Sequence, residues 1–425
     1  MALTLLLSLL LAMMLGIPIA VALGGASALA LLVYTDLPIT LIVQRIYVGL
    51  DSFPLLAAPL FILAGGLMET GGISQRLVNL ANSLVGFIRG GLAMVTVVAT
   101  MIQSEISGSS VADAAAIGKV VIPAMEKRGY PRALSAAIVS NAASAAILIP
   151  PSIPMIIYAW MAEVSIAKLF FAGFLPGFIA CASMMALCYY YARRYNLPKE
   201  TSFSVREVGR TTVKAFWALF IPVVIWAGIL GGVATATEVA ALAVAAAFVI
   251  GVFIYRELSG RQTLEILRDS VGQTASVMLI VASSAVLGWF LTSEQVPQKF
   301  ARMILETTDN KILILLFLNL FFLVAGMFLH SAAAIILIVP IVLPLVRQIG
   351  VDPIHFGIIV TINLGVGQQT PPVATVLFTT AAIARLPFWE VFKVGWPFTL
   401  VLVLVTLLVT YVPWISLGPI GWISW

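Results

Sequence analysis

The sequence predicts an all-α polytopic membrane protein. It is organised as an inverted-topology repeat with two re-entrant helical hairpins and two discontinuous helices. Three observations predict it. Of 425 residues, 61% are hydrophobic and 10% charged, at a mean hydropathy of +1.10, so repeated apolar runs account for the chain better than one soluble core. The runs are continuous and rich in Leu, Ala and Ile, whereas a membrane barrel alternates residue by residue. The motifs that interrupt the runs recur, in order, in two halves.

The N-terminal run 3–34 lacks a basic leader and exceeds a signal-peptide core, so it reads as a retained first span. A second span follows at 53–71. Residues 91–125 are apolar but interrupted by SEISGSSVAD, which predicts a hairpin that dips in and returns to the same side. The run 133–161 contains NAASAAILIPPSIPMII, where Asn141, Ser144, Pro150, Pro151 and Ser152 fall at membrane depth and predict a broken helix. Spans at 168–192, 212–230, 235–255 and 262–293 come next. A second hairpin at 311–349 is interrupted by GMFLHS, a second broken helix at 353–385 by GQQTPP, and 389–415 closes the chain.

Charge orients these elements. The segment holding Arg193, Arg194, Lys199, Arg206, Arg210 and Lys214 is cytoplasmic by the positive-inside rule. The loops with Arg76 and Arg89, residues 125–132, and Arg256 with Arg261 fall on the same side only if 91–125 is a hairpin. The second hairpin then enters from the opposite side, and Trp414, Trp422 and Trp425 lie near the outer interface. The net charge of +5 thus reports topology and not affinity for nucleic acid. Cys181 and Cys188 show no disulfide or metal spacing and read as packed thiols.

DAAAIGKVVIPAM followed by NAASAAILIPPS is matched by SAAAIILIVPIVLP followed by NLGVGQQTPPVAT. From Ala114 to Pro150 is 36 positions and from Ala332 to Pro371 is 39. The organisation is therefore 1–192 as one repeat, 193–234 as basic linker and connecting span, and 235–425 as the second repeat in opposite orientation. Paired discontinuous helices in such repeats are a signature of secondary transporters.

A Pro-Pro pair leaves carbonyls without helical partners, and in hydrocarbon such a break persists only when buried in protein, wetted or holding an ion. Carbonyls of Leu148, Ile149 and Pro150 facing Ser107 and Ser110 would suit a small hard cation. Gly326, Gly365, Gly367, Gln369 and Thr370 offer a second such site. With no carboxylate evidently committed to either tip, sodium is expected over calcium or a proton. Half-helix N-termini after Ser109 and after the diprolines suit an anionic substrate, to which Ser152 and Thr375 add hydroxyls. His330 lies at the second tip and His355 near an outer loop. Asp113, Lys119 and Glu238 are expected to be buried, and buried charges in spans are functional candidates. The small residues of SGSS and NAASAA would equally serve close helix packing.

EISGSSVADAAAIGKVVIPAM, LIPPSIPMIIYA, GMFLHSAAAIILIVPIVLP and GQQTPPVATVLF, taken together, resemble the large membrane subunit of tripartite ATP-independent periplasmic (TRAP) transporters over almost the whole chain. The resemblance implies a sodium-driven importer of organic acids, working as an elevator in the bacterial inner membrane and in contact with lipid. It implies two partners, a periplasmic substrate-binding protein and a small membrane subunit. Carried over, one sodium site involves Ser107, Ser110, Ile149 and Pro150, a second involves Gly326, Gly365 and Thr370, and substrate lies near Ser109, Ser152 and His330. The wording GQQTPPVAT is closer to sugar-acid members, including sialic acid transporters, than to C4-dicarboxylate ones. A channel is disfavoured because the polar residues form two knots and line no path, and an intramembrane hydrolase because His330 and Ser331 show no base and orienter spacing. A proton-coupled antiporter of related design is the alternative.

Overall fold

The computed structural model of the protein describes residues 2–34, 38–197, 199 and 204–422. Among these, regular structure is helical apart from an isolated bridge between Arg89 and Lys199. The first ten helices are α1 (Ala2–Met14), α2 (Ile19–Tyr34), α3 (Thr40–Leu50), α4 (Ala57–Thr70), α5 (Ile73–Val85), α6 (Gly91–Ser107), α7 (Ser110–Lys127), α8 (Arg132–Ala146), α9 (Ile153–Ala162) and α10 (Ile166–Arg194). A connecting helix α11 (Val205–Leu230) leads to α12 (Ala236–Val249), α13 (Gly260–Ser293), α14 (Val296–Thr307), α15 (Lys311–Phe328), α16 (Ser331–Gln348), α17 (Pro353–Gly367), α18 (Thr375–Ala384), α19 (Phe388–Tyr411) and α20 (Trp414–Leu417). Eight helices among the described residues are long and apolar enough to cross a membrane.

The element order repeats with nearly equal lengths. The arms α6 and α7 have 17 and 18 residues and α15 and α16 have 18 each. The interrupted helices α8 and α9 have 15 and 10 residues, as do α17 and α18. At about 1.5 Å per residue neither piece of an interrupted helix spans a bilayer, but the two together do. The halves also interlock: α7 packs on α18 and α16 on α9, while α8 touches α17. The outer elements mirror each other as well, with α4 against α12 and α2 against α13.

Local chemistry sets the boundaries. Thr235 and Glu238 form a capping box at α12, as do Ser259 and Gln262 at α13, satisfying N–H groups that a helix start leaves free. Asp352 accepts from the Ile354 and His355 amides at the start of α17, whose first residue is Pro353. The lipid-type surface is broad: Leu29, Val43, Phe216 and Leu316 are among many large apolar side chains left exposed.

Several expectations need correction. The run 3–34 is two helices, parted around Gly16 (φ +75°) and Pro18, because a left-handed glycine and a proline end α1 together. The segment 73–85, read from sequence as part of the loop with Arg76, and 296–307, unassigned from sequence, are amphipathic helices preceding each helix-turn-helix unit. Lys119 and Glu238 are exposed, Lys119 facing Glu69 at 3.7 Å and Glu238 serving its cap. His355, close after the loop that leads into α17 as expected, is buried and bonds Ser416 Oγ at 2.6 Å and the Thr410 carbonyl at 3.2 Å. Trp414 is exposed, and Trp425 lies outside the described residues. Both cysteines are buried free thiols.

Candidate functional site

Each helix-turn-helix tip docks on an interrupted helix through one backbone hydrogen bond. In the first half the Ile153 amide donates to the Gly108 carbonyl at 3.2 Å, and in the second the Val373 amide donates to the Met327 carbonyl at 3.2 Å. Cis peptide bonds lie at Pro150–Pro151 and Pro371–Pro372. The first turn needs glycine: Gly108 has φ +62°, and a Cβ there would sit 2.9 Å from the Pro151 carbonyl oxygen.

The first tip is rich in oxygen. Ser107 Oγ donates to Asp113 Oδ1 at 2.5 Å and accepts from the Ser109 amide at 3.2 Å. Ser109 caps α7, its Oγ 3.5 Å from the Ala112 amide. Asp113 is fully buried in the first turn of α7, and its Oδ2 has no hydrogen-bond partner. Ser104 Oγ donates to the Ala146 carbonyl at 2.7 Å, joining α6 to the end of α8. Ser110 Oγ and Ser152 Oγ are buried without a partner, Ser110 at the tip and Ser152 at the break it meets. Unpaired buried oxygens are costly, so their gathering here makes this tip the candidate ligand site. Hard oxygen donors with one carboxylate suit an alkali cation. Among the described residues no group of three His, Cys, Asp or Glu side chains is arranged for a metal ion.

Two expectations about this tip are overturned. A carboxylate is committed to it, because Asp113 sits one turn into α7 and folds back onto Ser107. The Leu148 carbonyl does not face the tip: it meets α10, where a Cβ on Gly173 would lie 2.5 Å from that oxygen. The Pro151 carbonyl is the break oxygen beside Gly108. Ile149 is fully buried, its side chain against Gly177.

The second tip is built differently. Gly326 and Gly367 bring α15 and α17 into backbone contact, a Cβ on Gly367 lying 2.5 Å from the Gly326 carbonyl carbon. Gly365 faces the Ser144 carbonyl of α8, 2.9 Å from a Cβ placed there. Thr370 Oγ1 is spent on the Val366 carbonyl at 3.1 Å. His330 is the exposed N-cap of α16 and makes no side-chain capping bond. Thr375 opens α18, its Oγ1 buried and unpaired, after Ala374 in the left-handed region at φ +43°.

Glutamines sew the knots together. Gln369 accepts from Ser140 Oγ and donates to Ser144 Oγ and, at 2.9 Å, to the Ser140 carbonyl. Gln368 donates to Ser331 Oγ at the start of α16. Asn141 accepts from Thr399 at 3.0 Å, and Asn363 donates to Asn319 at 2.7 Å. Sequence reading had singled out Gln369 as a ligand; here its amide is fully used in structure. The polar residues inside apolar runs were the available signal for these links.

Residues 6–415 match the family described as Tripartite ATP-independent periplasmic transporter, DctM component. The chain is 40% identical over 399 residues to an isethionate TRAP transporter permease protein DctMQ of Oleidesulfovibrio alaskensis, covering 94% of this chain and 63% of that longer protein. It is 38% identical over 402 residues to a C4-dicarboxylate TRAP transporter large permease protein of Pseudomonas aeruginosa, covering 95% and 94%. It is 35% identical over 410 residues to a 2,3-diketo-L-gulonate TRAP transporter large permease protein of Escherichia coli, covering 96% of each. In fold it is similar to the Alcanivorax borkumensis YdaH transporter, with a TM-score of 0.65 at 15% identity over 90% of this chain and 89% of that one. The Neisseria gonorrhoeae efflux pump MtrF gives a TM-score of 0.59 at 15% identity, covering 92% of each.

Proposed function

This chain belongs to the DctM component family of tripartite ATP-independent periplasmic transporters, and from that membership we propose a sodium-coupled importer of a small organic acid anion. It is a multi-pass inner-membrane transport subunit and not an enzyme. In the proposed cycle a periplasmic binding protein delivers the anion, and a small membrane subunit completes the permease. The helix-turn-helix units and interrupted helices then move together against the outer helices as an elevator. Relatives are named for a sulfonate, a C4-dicarboxylate and a sugar acid. Among these classes we favour a sugar acid, sialic acid included, on the wording GQQTPPVAT.

The observation that carries the proposal is the pairing of tips with breaks. Gly108 is bonded to Ile153, the first residue of α9, and Met327 to Val373, two residues before α18, and Ser110, Asp113, Ser152 and Thr375 bury unpaired oxygens there. Because each break lies between a 15-residue and a 10-residue helix, the bonds would hold both tips part-way across the apolar layer in this reading, with the two hairpins re-entrant and of opposite sense. Sodium at the first tip would draw on Ser107, Ser110 and the break carbonyls, with Asp113 supplying the negative charge. At the second tip it would draw on the backbone near Gly326, Gly365 and Thr370. Substrate would lie near Ser109, Ser152, Thr375 and His330, facing α7, α9, α16 and α18 N-termini.

The test is uptake of a panel of labelled acids into vesicles containing this chain and its two partners, with and without a sodium gradient at fixed pH. Sodium-dependent uptake of one acid is expected, and Ser107→Ala should weaken that dependence while leaving membrane insertion intact. A parent sodium response in that variant would move the first ion site elsewhere. Asp113 itself favours the second reading, a proton-coupled antiporter, since a buried carboxylate can carry a proton. Uptake that follows a pH gradient and ignores sodium would select it.

A further inference from the structure

At the end of the molecule that carries the basic linker, α5, the start of α11 and the residues after α12 enclose a cleft of about 860 Å³. Every side chain lining it is polar or charged. Its floor is fixed by Tyr255, whose hydroxyl accepts from the Ala218 amide at 3.1 Å and donates to the Lys214 carbonyl at 3.2 Å. It stands between two groups four residues apart that an uninterrupted α-helix would join directly. The Arg76 guanidinium lies 3.7 Å from the Tyr255 ring centroid, pairs with Glu257 at 2.7 Å and donates to the Gly72 carbonyl at 2.7 Å. Ser83 and Thr211, 2.7 Å apart, tie α5 to α11 beside it.

The charges do not balance. Arg76 is spent on Glu257, and Arg210 meets Glu207 only at 3.9 Å, both side chains more than half exposed. Lys214, one turn further on, makes no ion pair among the described residues. Arg210, Lys214 and Trp217 fall at i, i+4 and i+7, so the basic stripe runs into an aromatic one on the same face of a membrane-length helix. Phe216, Trp217 and Phe220 are exposed and packed edge to face, with centroids 5.3 and 6.0 Å apart. Aromatic rings beside cations at a cytoplasmic helix end match the boundary between headgroups and acyl chains.

We propose that this cleft binds the phosphate headgroup of an anionic phospholipid. Lys214 and Arg210 hold the phosphodiester, and an acyl chain lies along Phe216, Trp217 and Phe220. The single excess positive charge of the cleft complements the single negative charge of a phosphodiester. The bound lipid bridges α5, which leads into the first helix-turn-helix unit, to the connecting helix α11.

The experiment is native mass spectrometry of the full chain in detergent, with dioleoyl-phosphatidylglycerol, dioleoyl-phosphatidylcholine and inorganic phosphate in separate arms. Phosphatidylglycerol should be retained and phosphatidylcholine lost. Removing the cations in an Arg210→Ala, Lys214→Ala double variant should lower phosphatidylglycerol affinity about fivefold per cation. Lys214→Arg should preserve it, and brominated phosphatidylglycerol should quench less fluorescence in Trp217→Phe. Both cations are exposed, and far-ultraviolet circular dichroism checks that the double variant is folded. Equal phosphatidylglycerol retention by the folded double variant overturns the proposal. So does phosphatidylcholine retention equal to that of phosphatidylglycerol, or saturation by inorganic phosphate with no lipid preference, which would make this a free-anion site.

Discussion

The two knots share a plan and differ in what fills it. At the first, two hydroxyls and a carboxylate oxygen are buried without partners. At the second, glycine backbones touch, Gln369 is fully bonded, Gln368 donates to Ser331, a single hydroxyl, that of Thr375, is buried unpaired, and the one ionisable group, His330, is exposed. Even the restart of the broken helix differs, with extended Ser152 in one half and left-handed Ala374 in the other. The repeat therefore conserved the route of the backbone while its chemistry diverged. Charge resides at one knot, and close packing with neutral dipoles at the other.

Given that contrast, the same kind of insult should have different effects in the two places. The largest is expected for Gly367→Val, whose new side chain has to displace the Gly326 backbone. A loss of about 3 kcal/mol or more, seen as a collapse of the thermal unfolding temperature in detergent, is expected. Asp113→Asn preserves shape and removes the charge, so its damage should fall on transport. Sodium-driven uptake should drop about thirtyfold, roughly 2 kcal/mol, with the unfolding temperature nearly unchanged. An unaltered uptake rate would erase the distinction between the knots. Gln369→Ala strands Ser140 and Ser144 and should cost about 1–2 kcal/mol of stability, again read by thermal unfolding. Ala374→Gly removes a left-handed alanine and should stabilise the fold by up to about 1 kcal/mol, an effect with no counterpart at Ser152. Lys119→Ala, which breaks only the exposed pair with Glu69, should change stability by less than about 0.5 kcal/mol.

Legibility in the sequence followed the range of the interactions. Diprolines and Gly-Ser turns act within a few residues, so the breaks at Pro150 and Pro371 and the turns at Gly108 and His330 were visible as motifs. Gly16 and Pro18 act locally too, but sit inside a run apolar enough to pass as one span. The helices 73–85 and 296–307 are half polar, and a search for continuous apolar runs passes over them. What a side chain meets across space was not legible. The Leu148 carbonyl and the Pro151 carbonyl are equivalent in the sequence, and only the approach of α10 and of Gly108 tells them apart. Asp113 reads as a buried charge already in the sequence, but its partner Ser107 shows only once the arm folds.

The interlocking of the halves has a practical corollary. With α7 seated on α18 and α16 on α9, each cradle borrows a wall from the other end of the polypeptide. A chain severed between α10 and α11 would yield two pieces, each holding half of both cradles. Neither piece alone could bind or carry anything, and mixing the two would be the condition for rescue.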